Sequence, residues 1–188
     1  MTTSVSICSN ALVMLGGAPI SSLDEENPRA QAAANLYPSV RDTVLRAHYW
    51  NCATKRDVLA PLATAPAFGY TNQFPLPGDW LRTIQVGRDD CPLDYRSEGT
   101  RILANVAALP LVYVFRNYVE DTWSTNLVHV MELAMAAKLA YSVTASTSLA
   151  DMMNTSFERQ LKVAKAIDGQ DDPPEEFGAG PFLLSRFS

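Results

Sequence analysis

Between Asn126 and Ala145 the chain offers almost no polar face. Leu127, Val130, Met131, Ala134, Ala137 and Tyr141 recur at helical spacing, while Leu133, Met135, Ala136, Leu139 and Ala140 fill much of the remaining circumference. A helix apolar nearly all round has to be covered on more than one side. Ser124 or Thr125 supplies its N-cap, and its alanines let partner helices approach closely. The cover comes from other helices of the same chain or from a neighbouring subunit, and the residues leave both open. Either way, the rest of the fold has to wrap this segment.

Three further helical segments are available to do so. The first runs from about Ser4 to Leu15, with Val5, Cys8, Leu12 and Leu15 in one stripe and Ile7, Ala11 and Met14 widening it. Thr3 or Ser4 caps its start, and Gly16-Gly17 stops it, because glycine accepts the left-handed conformation a helix end needs. The second starts at Asn27 as N-cap with Pro28 in the first turn, where no amide partner is lost. It then carries Ala33, Leu36, Tyr37, Val40, Val44 and Ala47 at helical spacing to about Trp50. Pro38 inside that run predicts a kink or break. The last begins at a loose capping box, Ser148-Leu149-Ala150-Asp151. Leu149, Met152, Met153, Phe157, Leu161, Ala164 and Ile167 form its buried face, and Gly169 ends it.

The middle of the chain is punctuated differently. Pro61, Pro66, Pro75, Pro77, Pro92 and Pro110 break it, with Gly69, Gly78, Gly87 and Gly99 between them. Short β-prone runs lie between the breaks, at 70–74, 80–86, 101–105 and 111–118. Arg82 to Val86 alternates polar and apolar residues as a half-buried strand should. On the last strand Tyr113 and Phe115 share one face, and Val112 and Val114 the other.

The expected fold class is therefore α+β, mainly an α-helical bundle of four helices. Residues 1–50 and 122–169 form the bundle, 51–121 an inserted small antiparallel β region, and 170–188 an extended C-terminal arm. The arm pairs Pro173-Pro174 and four acidic residues with an apolar end, Phe177, Phe182, Leu183, Leu184 and Phe187. Proline and acidic residues make a poor core segment, yet such an end should not stay in water. It docks on a partner or neighbouring subunit, or it folds back on its own domain.

Chemistry-bearing constellations are not found. With 47% hydrophobic and 19% charged residues a packed core is available, and a net charge of -5 gives no basic footprint for tight nucleic-acid binding. Cys8, Cys52 and Cys91 stand far apart, without a CxxC, which argues against a zinc knuckle or a disulfide framework. The start of the chain lacks a signal-peptide pattern, and no run reaches the roughly 18 consecutive apolar residues of a membrane span. A soluble protein made in a reducing cytoplasm is expected. His48 and His129 have no second ligand at metal spacing; Asp89-Asp90 and Asp171-Asp172 read as solvated loop charges. Arg159, Lys162 and Lys165, interleaved with acids, read as a solvated helix face. No catalytic residue, no metal and no cofactor is expected, and no enzyme.

The order of motifs along most of the chain resembles tail tubular protein A, the head-to-tail adaptor of short-tailed bacteriophages and related prophages. The resemblance is carried by Ile7-Cys8-Ser9-Asn10-Ala11-Leu12, Gly16-Gly17-Ala18-Pro19-Ile20-Ser21-Ser22-Leu23-Asp24, Arg41-Asp42 and His48-Tyr49-Trp50-Asn51. It continues in Phe68-Gly69-Tyr70, Leu76-Pro77-Gly78-Asp79-Trp80-Leu81-Arg82, in Tyr95, Glu98-Gly99 and Ile102-Leu103, which look like the family's next hairpin, and in Lys138-Leu139-Ala140, and is weakest after Gly169. The resemblance implies a virion structural protein at the head-tail junction, assembled in the host cytoplasm as a homo-oligomeric ring, a dodecamer. The portal protein would lie above it, the tail nozzle protein below it, and genome DNA would pass non-specifically through its lumen, with no membrane involved. The arm residues Phe177, Phe182, Leu183, Leu184, Arg186 and Phe187 are then expected to grip the portal or a neighbouring subunit. Tyr70, Phe74, Trp80 and Tyr95 of the β region are expected to face the nozzle. The alternative is a small helical binding or assembly module that is not part of the virion.

Overall fold

The computed structural model describes residues 1–88 and 91–171. Four helices and seven strands follow one another as α1 (Ser4–Met14), α2 (Pro28–Arg46), β1 (Thr54–Leu59), β2 (Asn72–Pro75), β3 (Trp80–Arg88), β4 (Cys91–Pro92), β5 (Tyr95–Glu98), β6 (Arg101–Ala104), β7 (Leu109–Phe115), α3 (Thr125–Thr144) and α4 (Thr147–Asp168). Helix α3 is the spine, and α1, α2 and α4 all pack against it. Its Leu127, Val130, Met131, Met135, Ala136, Leu139 and Ala140 are fully buried with Ile7, Leu12 and Ala33 in one core. Among the described helices α3 alone is long and apolar enough to cross a membrane; half of that stretch is buried here.

Local chemistry sets the helix ends. Thr3 caps α1, its side chain accepting from Ser6 N while the Ser6 hydroxyl accepts from Thr3 N. At the other end Gly16 N donates to Val13 O and Gly17 N to Leu12 O, a Schellman closure. That closure needs Gly16 at φ 74°, a conformation cheap only without a Cβ. Asn27 caps α2 through a bond from Arg29 N. Pro38 neither breaks nor ends α2, which continues to Arg46. Helix α4 starts two residues earlier than its Ser148 box suggests: Ser146 is the cap, accepting from Leu149 N at 3.2 Å.

The expectation of a mainly helical bundle carrying a small β insert is wrong. The strands are no small insert: among the described residues they build two antiparallel sheets, of four and three strands. One has the order β1-β7-β3-β4 and the other β2-β6-β5, all neighbours antiparallel. They share a second core of Leu59, Phe74, Val86, Ile102, Ala104, Leu109, Leu111 and Tyr113. Sheet faces need cover just as helix faces do, and here each sheet covers the other. The opposite face of the four-stranded sheet enters the helical core through Leu81 and Val114, with Ile84 packed against it. Helices, four-stranded sheet and three-stranded sheet are thus successive layers.

Two β-bulges let β3 serve both cores. The pairing of β3 with β7 shifts between Trp80 and Arg82 and again between Thr83 and Gln85, so Leu81 and Ile84 are extra residues. Both go to the helical side, while Val86, two positions after Ile84, goes to the β core. An unbulged strand would place Ile84 and Val86 on the same face.

Candidate functional site

The loop between β1 and β2, residues 60–71, forms the outer tip of the β layers. Gly69 at φ 89° turns it, and several bonds pin it. Thr71 N and Oγ1 donate to Asn105 Oδ1 at 2.8 and 3.2 Å, and Gln73 Nε2 donates to Thr64 O at 2.7 Å. Arg101 Nη1 holds the other end of the same Gln73 amide, at 2.8 Å. The tip therefore presents Phe68, 88% exposed, from a fixed platform. A shallow cleft of about 300 Å³ beside it is lined by Phe68, Tyr70, Arg96, Glu98 and Leu103. Tyr70 is half-buried with its hydroxyl 3.4 Å from Asp94 Oδ1, and Tyr95 is exposed.

Of the four aromatics expected to face a partner, Tyr70 and Tyr95 are at this tip. Phe74 is wholly buried in the β core. Trp80 is partly buried against the β core, where its Nε1 donates to Thr83 Oγ1 and the Arg46 guanidinium of α2 lies 5.9 Å from its ring centre. Phe68 is not among the contacts expected from sequence. Its flanks, Pro66 and Gly69, are the signal that marks an aromatic held out on a turn.

A second exposed apolar surface lies on the α3–α4 hairpin. Met152, Val163 and Ile167 stand eleven and four residues apart, one stripe of α4, and remain substantially exposed, as does Tyr141 on α3. The stripe is separate from Met153, Phe157 and Leu161, which pack on α3. Next to them a groove of about 300 Å³ opens between α2 and α4, lined by Val40, Val44, Ala134, Ala137 and Phe157.

The arm residues Phe177, Phe182, Leu183, Leu184, Arg186 and Phe187 lie outside the described residues. Its point of departure is fixed, however. The buried Asp168 carboxylate accepts from Asn51 N at 3.2 Å and lies 3.4 Å from His48 Nε2, while Asn51 Nδ2 donates to Asp168 O. Burial, ahead of repulsion from Lys165 and Arg82, holds His48 below its usual value; nearby Asp168 opposes this.

Nucleophiles are muted. Burial, with a smaller push from Glu120, raises Cys8 to about 12, and burial raises Cys52 to about 11. Thiols so shifted are protonated at neutral pH and packed as small apolar groups. His129 pairs with the nearby Glu132 at 3.3 Å on the surface. Among the described residues no group of three or more His, Cys, Asp or Glu is placed to hold a metal ion. What this geometry offers is contact surface. Neither a protein-family model nor a curated protein matches this chain.

Proposed function

We propose that this chain is a virion structural protein, the adaptor subunit of a ring that joins a bacteriophage portal to its tail nozzle and forms part of the DNA conduit. The observation that carries the reading is the separation of its exposed apolar surfaces. Phe68 and Tyr95 lie on the outer β tip, and Met152, Val163, Ile167 and Tyr141 on the helical hairpin. A connector has to adhere to different partners on different sides, and it needs apolar patches away from one another. The order of the motifs described above, from Ile7 to Lys138, supports the same assignment. In this reading the β tip meets the nozzle protein, the arm grips the portal or a neighbouring subunit, and a mildly acidic body lets DNA slide past. It is not an enzyme, and it works at the head-tail junction after assembly in the host cytoplasm.

Deleting Phe182 to Ser188 tests the assignment. The truncated chain is expected to fold with unchanged helicity while heads and tails fail to join. Normal joining by that truncation overturns the role given to the arm.

A further inference from the structure

Both sheets end in a bare strand. β1 closes one side of the four-stranded sheet, with residues 55–58 all exposed. β5 closes the three-stranded sheet, with all four residues exposed. Among the described residues no backbone–backbone hydrogen bond reaches the outer edge of either strand, although Val58 N of β1 donates to the Asp57 carboxylate beside it. β1 belongs to the four-stranded sheet and β5 to the three-stranded one, so pairing β1 of one copy with β5 of another joins two different surfaces, the condition for head-to-tail association.

From this we infer that β1 of one copy pairs antiparallel with β5 of the next, joining their sheets across the subunit boundary. The inference rests on the ring reading for its choice of a second copy, and charge selects the register. With Lys55 opposite Glu98, Asp57 falls opposite Arg96, Arg56 opposite Ser97 and Val58 opposite Tyr95. Lys55 and Asp57 lie on one face of β1, Arg96 and Glu98 on one face of β5, so both ion pairs form on the same side of the joined sheet. A slip of one residue in one direction sets Arg56 against Arg96; in the other it leaves only Arg56 against Glu98. Charges on edge strands ordinarily keep sheets apart. Here they repel most pairings and favour one, which is how an edge is made selective rather than closed. Arg96 and Glu98 make no hydrogen bond or ion pair among the described residues, whereas on β1 Lys55 Nζ donates to Asp79 Oδ2 at 3.0 Å and Asp57 Oδ1 accepts from Val58 N at 2.8 Å, so both β1 side chains share or exchange a partner when the strands pair. β5 against β5 also sets Arg96 opposite Glu98, but that closed dimer leaves β1 bare and makes no use of Asp57.

The test is sedimentation of the full chain over a concentration series, as wild type, Asp57→Arg, Arg96→Asp and the double exchange. Both side chains are exposed, so thermal unfolding should not change. Each single reversal is expected to weaken association about tenfold or more, and the double exchange to restore it. Hydrogen exchange on the unaltered protein should slow at amides 55–58 and 95–98 as association proceeds, a readout independent of any variant. Three results overturn the pairing: a wild type that stays monomeric throughout, an association that Asp57→Arg leaves intact, or exchange unslowed on either strand. Rescue by the double exchange in a chain absent from phage particles keeps the pairing and removes the adaptor role. Presence in particles with neutral reversals does the opposite.

Discussion

Arg116 Nε donates to Asp42 Oδ2 at 2.7 Å, joining the residue just after β7 to the C-terminal part of α2. The other Asp42 oxygen accepts from Arg41 Nε and Nη2, and the Arg41 guanidinium lies 4.5 Å from the Tyr118 ring centre. One carboxylate thus positions two arginines where the helical and β layers meet. Arg41 is nearly buried, so neutralising the carboxylate it shares with Arg116 leaves a poorly hydrated, uncompensated charge. Asp42→Asn should cost about 1–3 kcal/mol in chemical denaturation.

The clasp at the end of α4 gives a pH dependence. Burial holds His48 below its ordinary 6.5, so the unfolded chain takes up a proton first as pH falls. The stability this group contributes is present above about 6.5 and is lost as the pH drops through the folded-state value. His48→Gln should flatten the acid side of a plot of melting temperature against pH, between neutrality and the onset of carboxylate titration. An unchanged slope removes His48 from the account.

Ala145 joins α3 to α4 at φ 52°, the only described non-glycine residue at positive φ. Its amide donates to Tyr141 O, closing the helix, and its side chain is exposed. A Cβ in that conformation costs about 1–2 kcal/mol. Ala145→Gly should therefore raise stability, by about 0.5–1 kcal/mol after the greater freedom of glycine in the unfolded chain is counted.

Two phenylalanines of the β layers separate packing from contact. Phe74→Ala should cost about 3–5 kcal/mol, since it empties the centre of the second core. Phe68→Ala should change stability by less than about 0.5 kcal/mol and weaken nozzle attachment, measured by tail incorporation into heads. Loss of stability at Phe68 with normal attachment would contradict the role of the tip.

The helices were legible because their signals are local: Asn27-Pro28, Gly16-Gly17 and the unbroken apolar surface of α3 each act within a few residues. The strands that pack on both faces were legible in part, as with Val114 opposite in face to Tyr113. β1 was not, because Thr54-Lys55-Arg56-Asp57 is an edge whose residues are nearly all exposed, and an exposed edge has no apolar alternation to read. β5 has the same exposed character, and the hairpin it forms with β6 was expected from the resemblance alone. Missing β1 made the β region look small. The resemblance assigns the β region as a whole to a partner, which does not distinguish a core ring such as Phe74 from a contact ring. The bulges that send Leu81 and Ile84 to the helices leave no mark in the residues themselves.

The most direct measurement is the copy number of this chain relative to portal protein in purified phage particles, by quantitative peptide mass spectrometry. Near parity is the result the adaptor reading predicts. Absence from finished particles would contradict it and move the chain to an assembly role outside the virion.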